Sequence, residues 1–568
     1  MTAIVSIPIL GLAAGATARP ALHHATRSTP DDSTTWVGTE APIPADAWPP
    51  EQQVWLSASA CPGAGSCVAV GYYNDTENNS QGLIDTISNG TSSYIQAPDP
   101  PHGHDAVLSG VTCSSTAFCV AIGHYGNSDL GVIETLSGGS WTGTEAPVPS
   151  DVPNGSGVTL GAVACPADGS CVVVGQANSL NPDLETIPFI DTLSDGTWTA
   201  IDAPLPADAL ADFEYNGPMS IACPAVGSCV ATGRYQSDPT DTVGLIDTLS
   251  GGTWTAQAAP SPPSTAANQN TGLGSVACPA VSSCEAIGGD STSAGVGDDV
   301  IETLSAGSWN VAEAPLPADS SSDYAGLSDI ACPAVGSCEI VGSYGPMNGE
   351  GGQAFTEDQS GDTWTPTVQS GDVSGLNSVA CPAVGSCIAV GQGQGPGAVP
   401  VVATLSGGVW TMAGVPTPAN AGVEPSLGQL SLDFPDAGLV TVSCATVDSC
   451  LALGHYGIPN PSPYPATQEA LVEALGLGGP LTPVISSADQ ATFTVGQSGS
   501  FRVTASGAPV ISEKGKLPKG LHFGSGPGTA TISGKPSKKT GSYALTITAT
   551  SKSTNERISQ VLRLTVQS

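Results

Sequence analysis

Positive charge is nearly absent from most of this chain. Of its 13 Lys and Arg residues, residues 1–479 hold only Arg19, Arg27 and Arg234, against 47 of the 50 carboxylates, which is a net charge of −44. Such a surface repels phosphate backbones, so we expect no nucleic-acid partner for this part of the chain. Its simplest role is to keep the protein soluble in an extracellular medium, and it leaves a cationic partner or a divalent metal open.

Long apolar runs are missing as well. No stretch of eighteen consecutive apolar residues occurs, and the C-terminal residues show neither a lipidation motif nor an apolar anchor tail, so we expect no transmembrane span. Residues 4–18 are apolar and end in Ala16-Thr17-Ala18, a pattern typical of a cleavage site. We predict a signal peptide over residues 1–18, a linker over residues 19–33, and a protein that is secreted, extracellular or cell-wall associated.

Residues that favour helices are also scarce. Aromatic and charged residues make up only 5% and 11% of the chain, whereas it holds 71 Gly and 48 Pro. This composition favours many short strands separated by turns. We therefore predict an all-β protein.

Every cysteine in the chain has a second cysteine six positions away. The sixteen cysteines fall into eight pairs whose members lie six positions apart: Cys61/Cys67, Cys113/Cys119, Cys165/Cys171, Cys223/Cys229, Cys278/Cys284, Cys332/Cys338, Cys381/Cys387 and Cys444/Cys450. A five-residue turn brings two strand ends to the separation that a disulfide needs. Zinc usually requires closer spacing and four converging ligands. We predict eight structural disulfides, each within its own hairpin, and an oxidising compartment.

The cysteine pairs mark a repeat. Their first members are separated by 52, 52, 58, 55, 54, 49 and 63 residues, and each period contains four strand signals, which we name a to d. Strand b carries a glycine in all eight copies: Gly71, Gly123, Gly175, Gly233, Gly288, Gly342, Gly391 and Gly454. Hairpin turns such as Asp195-Gly196 separate strands c and d. This pattern predicts one four-stranded blade per repeat.

Strand d begins with an aromatic residue, but only seven copies follow the cysteine pairs. The eighth lies at the other end of the chain, where residues 35–44 closely match residues 140–149 around Trp36 and Trp141. We predict that this N-terminal strand pairs with residues 470–475 and closes an eight-bladed β-propeller over residues 34–476, which removes exposed sheet edges.

The composition changes near residue 480. Residues 480–568 hold ten Lys and Arg against Asp489, Glu513 and Glu556, a net charge of +7. After a linker over residues 477–483, alternating strands and Gly/Pro turns predict an Ig-like β-sandwich over residues 484–568.

Two resemblances support this organisation. The unit Cys332-Pro333-Ala334-Val335-Gly336-Ser337-Cys338, with its later Gly-Thr-Trp, resembles the repeats of secreted actinobacterial β-propeller proteins over residues 34–475, which implies architecture and no activity. Residues 517–523, 528–536 and 541–543 resemble the bacterial "putative Ig" domain, which is related to cadherin-like sandwiches. Cadherin-like domains often bind calcium through clustered acids. Since this segment has three scattered ones, we expect no cofactor and no metal site, with calcium left open.

The binding face is predicted from loop lengths. The a–b and c–d turns are short and uniform, whereas the b–c and d–a connections vary and emerge on one face, where recognition usually sits. The two positions that follow the constant glycine supply the candidate binding residues: Tyr73, His124, Tyr125, Arg234, Tyr235, Tyr344, His455 and Tyr456. No catalytic residue stands out.

Strand c carries a recurring acid. It occurs as Asp85, Glu134, Asp191, Asp247, Glu302 and Glu473, whereas the seventh repeat has Ala403 and the sixth reads Phe355-Thr356-Glu357. Because Arg234 is the only Lys or Arg in the ring, cations cannot pair with these acids. We expect them to be solvated or held by hydroxyl, indole or backbone donors, in a structural rather than catalytic role.

Three classes of function fit these observations. We favour a monomeric secreted or cell-surface recognition protein without enzymatic activity, whose propeller binds a glycan, peptide or cell-wall component while the Ig-like domain is a spacer or an anchor on an anionic surface. The alternatives are a glycoside hydrolase or lyase of propeller fold and a passive structural protein. A sialidase is disfavoured because one arginine cannot replace the three that clamp its substrate.

Overall fold

The computed structural model describes residues 36–567 apart from gaps that fall mostly in loops, the longest being residues 419–436, 459–466 and 478–486. The predicted signal peptide, the linker over residues 19–33 and most of the linker over residues 477–483 lie outside the described residues. All regular structure in the described part is β. None of it forms a helix long and apolar enough to cross a membrane.

The eight repeats form eight successive units of four antiparallel strands, paired in the order a-b-c-d. The a strands are β2 (Val54–Gly63), β6 (Val107–Ser115), β10 (Val158–Ala167), β14 (Gly217–Ala225), β18 (Gln269–Ala280), β22 (Ser320–Ala334), β26 (Val373–Ala383) and β30 (Ala437–Thr446). The b strands are β3 (Ser66–Asn74), β7 (Phe118–Tyr125), β11 (Ser170–Asn178), β15 (Ser228–Asp238), β19 (Ser283–Thr292), β23 (Ser337–Pro346), β27 (Ser386–Gly393) and β31 (Ser449–Ile458).

The outer half of each unit consists of strands c and d. The c strands are β4 (Ser80–Ser88), β8 (Leu130–Ser137), β12 (Thr186–Ser194), β16 (Asp241–Ser250), β20 (Gly297–Ser305), β24 (Gln353–Ser360), β28 (Pro400–Ser406) and β32 (Thr467–Leu475). The d strands are β5 (Thr91–Gln96), β9 (Ser140–Glu145), β13 (Thr197–Asp202), β17 (Thr253–Ala258), β21 (Ser308–Glu313), β25 (Thr363–Val368), β29 (Val409–Gly414) and, for the eighth unit, β1 (Val37–Glu40).

The units are arranged as the blades of a β-propeller. Each a strand contacts the a strands of the two neighbouring blades, and β2 contacts both β6 and β30, so the a strands form a closed inner ring. The last blade is completed by β1, in which Val37 lies opposite Ala474 and Glu40 opposite Leu471. Closure by the N-terminal strand is therefore confirmed.

All eight predicted disulfides are present. They are Cys61–Cys67, Cys113–Cys119, Cys165–Cys171, Cys223–Cys229, Cys278–Cys284, Cys332–Cys338, Cys381–Cys387 and Cys444–Cys450. Each lies within one a–b hairpin, and no cysteine among the described residues is free. A closed loop this small stabilises the fold by roughly 2 kcal/mol in the chain-entropy model. The bridges therefore tie the hairpins that form the inner half of every blade.

The position of the bridges within the hairpins corrects one expectation. The cysteines do not lie at strand ends flanking a five-residue turn, because strands a and b both continue past them to a two-residue turn. The first cysteine of each pair is half-buried. The second is at most 1% exposed in every blade: Cys67, Cys119, Cys171, Cys229, Cys284, Cys338, Cys387 and Cys450. These eight residues begin the buried run of strand b, so they are core residues and not surface or binding groups.

The constant glycine of strand b has a steric reason. A Cβ at Gly288 would lie 2.0 Å from the carbonyl oxygen of Gly272 on strand a, beside a bulge after Leu273. At the other seven positions the nearest carbonyl oxygen of strand a would lie 1.8 to 2.8 Å away: Gly71, Gly123, Gly175, Gly233, Gly342, Gly391 and Gly454. Only glycine lets strands a and b approach this closely.

The C-terminal part forms two sheets. One pairs its strands in the order β33 (Gln490–Thr494), β39 (Arg557–Gln567), β38 (Gly541–Thr550), β35 (Val510–Gly515), and the other in the order β34 (Gly499–Thr504), β37 (Thr529–Gly534), β36 (Leu521–Gly526). Alternate residues of both sheets, among them Phe493, Ile532 and Leu564, share one core. This is the sandwich that the alternating pattern predicts.

Candidate binding site at the mouth of the ring

The two faces of the ring differ in their connections. Every a–b turn and every described c–d hairpin has two residues between its strands. The b–c connections range from two residues, 239–240, to eight, 459–466, and the d–a connections from four residues, 369–372, to twenty-two, 415–436. The variable connections share one face, where the inner ends of strands a and b surround the mouth of the central channel.

A ring of paired residues lines this mouth, and we call it the mouth ring. Its b-strand members follow the constant glycine: Tyr72, His124, Gln176, Arg234, Gly289, Ser343, Gln392 and His455. Each lies opposite an a-strand member: Trp55, Val107, Thr159, Gly217, Gly272, Gly326, Gly375 and Gly438. The b-strand members other than Gly289 are half-buried.

The b-strand side chains of the mouth ring reach over the next blade. The Arg234 side chain approaches within 3.7 Å of the point where a Gly272 Cβ would stand. The corresponding distance from Gln392 to Gly438 is 3.0 Å. Because these a-strand positions are glycines, the Arg234 and Gln392 side chains can approach the backbone of the next blade.

The mouth ring is bulky on one side and open on the other. The first two blades contribute Trp55, Tyr72, Val107 and His124, whereas blades four to eight have glycine on strand a. Among the described residues, no atom would lie within 4 Å of a Cβ at Gly326. We call the space over Gly289 and Gly326 the bay. It lies beside Arg234, opposite the aromatic side of the ring.

Three of the predicted binding residues lie in the mouth ring. The His124 side chain is 40% exposed, and its Nε2 atom lies 3.8 Å from Oδ1 of Asp129. Burial lowers the pKa of His455, so this ring is neutral at pH 7. His455 Nε2 is buried without a partner in the described part of the chain. Binding by His124, Arg234 and His455 stays a prediction.

The five predicted tyrosines lie elsewhere, which corrects their placement on the binding face. Tyr73, Tyr125, Tyr235, Tyr344 and Tyr456 are at most 4% exposed. Four of their hydroxyls donate to acids from neighbouring connections or strands: Asp46, Glu145, Asp208 and Asp319. Along a strand, successive side chains point to opposite faces, so the residue next to the mouth ring enters the core between blades.

The recurring acids of strand c are buried, not solvated. We call them the acid belt: Asp85, Glu134, Asp191, Asp247, Glu302, Glu357 and Glu473, all at most 1% exposed. Glu357 belongs to this set because its register matches the others. Ser92 donates to Asp85 over 2.6 Å. The carboxyl oxygens of the other six have no hydrogen-bond donor among the described residues, so the expectation of hydroxyl, indole or backbone donors is wrong for these six.

Sequence reasoning missed the a-strand half of the mouth ring. The signal was present, because a glycine precedes the strand-a leucine in four repeats and Pro218 in a fifth. In the described part of the chain, no three His, Cys, Asp or Glu side chains form a cluster that could hold a metal ion.

Comparisons with known proteins separate the two parts of the chain. Residues 482–567 match the family model described as "Putative Ig domain". This segment is an Ig-like domain. A search of curated proteins found no match to the sequence.

Solved structures match the chain only at low identity and with TM-scores below 0.5. One is a fungal lectin of Aleuria aurantia, described as a six-bladed β-propeller with a fucose recognition mode, at 12% identity over 56% of this chain and 97% of that one, with a TM-score of 0.26. Another is a Penicillium chrysogenum α-L-arabinanase, at 12% identity over 63% and 93% of the two chains, with a TM-score of 0.28. Prolyl oligopeptidase B from Galerina marginata matches at 12% identity over 71% and 55%, with a TM-score of 0.40. These values carry no activity over to this chain.

Proposed function

We propose that this protein is an extracellular recognition protein whose mouth ring binds a glycan, with the Ig-like domain acting as its anchor. The observation that carries the proposal is the asymmetry of the mouth ring, in which an aromatic side faces a glycine-lined bay on the variable-loop face. Eight disulfides favour an extracellular setting, since such bridges persist in oxidising compartments.

The chemistry of the mouth ring suits a sugar. Trp55 and Tyr72 offer apolar ring faces on which a sugar ring stacks, and each keeps a polar group for a hydroxyl. Gln176 and Gln392 carry amides that both donate and accept. Glycan hydroxyls need such paired donors and acceptors, and a concave site with a few polar groups is the usual form of a small-ligand site. Arg234 adds one fixed cation, suited to a carboxylate on the glycan.

The test is equilibrium binding of the full chain to a panel of neutral oligosaccharides, uronate-containing oligosaccharides and muropeptides. Trp55→Ala is expected to weaken binding to the best of these probes at least tenfold, because it removes the stacking surface. Gly326→Phe is expected to abolish binding, because its side chain fills the bay. Gly326→Phe should melt near the wild-type temperature, whereas Trp55→Ala truncates a half-buried ring, so its binding is compared well below its own Tm.

The matched control is Gly274→Phe. Gly274 is also an a-strand glycine, and no described atom would lie within 4 Å of an added Cβ. It lies in the bulge between Leu273 and Ser275, outside the mouth ring. The Gly274→Phe variant should bind the oligosaccharides like the wild type. Equal loss in Gly274→Phe and Gly326→Phe, or no loss in either, would place the binding site elsewhere. Hydrolysis or elimination of a panel member by the wild type would favour the hydrolase or lyase alternative.

The anchoring part of the proposal rests on charge. Lys514, Arg557 and Arg563 are exposed on the four-stranded sheet of the Ig-like domain, while the ring carries nearly all the carboxylates. The full chain is expected to co-sediment with Gram-positive cell walls at low salt and less at high salt, because exposed charges are screened over about 8 Å at physiological ionic strength. Replacing these three residues by Gln should remove the salt-sensitive part. Unchanged sedimentation in the triple variant would leave the domain as a spacer.

A further inference from the structure

The acid belt poses a problem of hydrogen bonding that the binding function does not explain. A buried carboxylate needs donors or a cation, and none is present for six of the seven acids among the described residues. A neutral carboxylic acid has a different need, because it carries an O–H and requires an acceptor. Whether the groups around the belt are donors or acceptors therefore indicates whether the acids are ionised or neutral.

In two blades the structure shows an acceptor beside the belt acid. A Cβ at Gly143 would lie 2.7 Å from Oε1 of Glu134 and 2.2 Å from the carbonyl oxygen of Pro98, so both oxygens crowd the same point. At the last blade, a Cβ at Gly38 would lie within 2.4 Å of Oε1 of Glu473 and of the carbonyl oxygen of Pro416. In both places the proline belongs to the connection that leaves strand d of the preceding blade.

A proline at this position removes the alternative donor. Proline has no N–H, so this part of the connection offers a carbonyl acceptor and no donor for an ionised carboxylate. The residue before the proline already gives its N–H to the start of strand c of its own blade, as Ala97 does to Gly82 and Val415 to Pro400.

The proline and the acid occur together around the ring. Seven blades have an acid in the belt, and the connection that precedes each of them carries a proline: Pro42, Pro98, Pro147, Pro204, Pro260, Pro315 and Pro416. The seventh blade has Ala403 in place of the acid, and the connection before it reads Gln369-Ser370 without a proline. The one blade without a belt acid is thus also the one whose preceding connection lacks the proline. The acid and the proline therefore occur as a pair.

We propose that each belt acid other than Asp85 is held as a neutral carboxylic acid that donates its O–H to the carbonyl oxygen of the proline in the preceding blade, so that the ring is most tightly closed in an acidic medium. The belt is then a set of hydrogen bonds between blades that is made at low pH and lost at high pH. Asp85 accepts from Ser92, and Pro42 lies outside the described residues, so Asp85 is not counted in this set.

The ionisation of the belt agrees with this geometry. Burial raises the pKa of Glu134, Asp191, Asp247, Glu302 and Glu357 to about 8, and that of Glu473 to about 9. Among the described residues, the ionisable groups that act on them are themselves acids, Asp99 on Glu134 and Asp299 on Glu357, and both raise the pKa further. The direction of the pH dependence follows from these shifts.

In the unfolded chain these acids ionise near pH 4, whereas in the fold they stay neutral to about pH 8. Below pH 4 both states are neutral and the belt contributes fully. Between pH 4 and pH 8 only the unfolded state loses protons, so stability falls as the pH rises. Proteins stabilised by ionised, paired carboxylates behave in the opposite way.

The experiment measures melting and proton release of the full chain with its disulfides intact. The wild-type Tm is expected to fall by more than about 10 °C between pH 5 and pH 8. Unfolding at pH 6 should release several protons, measured by calorimetry in two buffers of different ionisation enthalpy. The infrared carbonyl band of neutral carboxylic acids should be present in the folded protein at pH 7.

The deciding variant is Glu134→Gln with Glu302→Gln and Glu473→Gln. Glutamine keeps the shape, stays neutral and offers N–H donors to the proline carbonyl, so the triple variant should match the wild type below pH 4, melt higher at pH 8 and release about three fewer protons at pH 6. This difference between the triple variant and the wild type reports the belt acids alone, because other buried acids with a raised pKa, such as Glu339 and Glu469, are present in both proteins. Glu77→Gln, at an exposed acid, is the control and should change none of these values.

Three results would overturn the proposal: a wild-type Tm that rises from pH 5 to pH 8, unchanged proton release in the triple variant, or no neutral-acid infrared band at pH 7. Because the first and third are measured on the wild type, the proposal remains testable if the triple variant does not fold. Glycan binding measured at pH 5 is independent of all three results.

Discussion

A chain that carries Gly288→Ala is expected to lose roughly 3 kcal/mol or more of its unfolding free energy, or not to fold at 37 °C. The added Cβ would stand 2.0 Å from the carbonyl oxygen of Gly272, and neither group is the end of a flexible side chain. Strand a would have to move away from strand b, which breaks the pairing beside the Cys278–Cys284 hairpin. Denaturant unfolding measures the loss.

The matched control for this prediction lies in the same blade. Gly274→Ala places its Cβ in open space, so its unfolding free energy should stay within about 0.5 kcal/mol of the wild type. If the two alanine variants are equally stable, the close approach of strands a and b is not the reason for the constant glycine.

Removal of residues 1–47 is expected to open the ring and cause aggregation. The deletion takes away β1, which pairs with β32, as well as Ala41 and Ala47, which are buried in the core shared by the first and last blades. It leaves β32 as a free sheet edge, and such edges pair with other chains. Size-exclusion chromatography and thermal melting measure the change.

Removal of residues 1–33 is the control, because it leaves β1 in place and should yield a monomer with wild-type melting. A synthetic peptide of residues 34–47 should restore a monomer when added to the longer deletion during refolding. A monomeric protein with unchanged melting after removal of residues 1–47 would mean that closure by β1 contributes little.

Much of the fold was predictable because the same sequence pattern recurs eight times. Constant spacing of the cysteines predicts the disulfides, and the match between the regions around Trp36 and Trp141 predicts which strand closes the ring. These features are local or repeated, so a single sequence contains enough copies to show them. The Ig-like domain was predictable from its alternating strands and turn residues.

The site was less predictable, since its side chains are placed by pairing and by contacts between blades. Recurrence alone does not tell a core residue from a surface residue, which is why the sequence pattern assigns Tyr73 and its equivalents to the binding face. Their partners, such as Asp46, come from connections with no common pattern. The link between the belt acids and the prolines is visible in the sequence, but only the distances around Gly38 and Gly143 give it a physical meaning.

The most direct test of glycan binding at the mouth ring is hydrogen–deuterium exchange of the full chain with and without the oligosaccharide that binds best in the panel. The mouth-ring proposal predicts slower exchange at the mouth-side ends of strands a and b, including residues 324–328 and 341–345, because the bound sugar covers the bay. The two-residue turns on the opposite face, such as residues 335–336, should exchange as before. Protection confined to that opposite face or to the Ig-like domain would contradict the proposal.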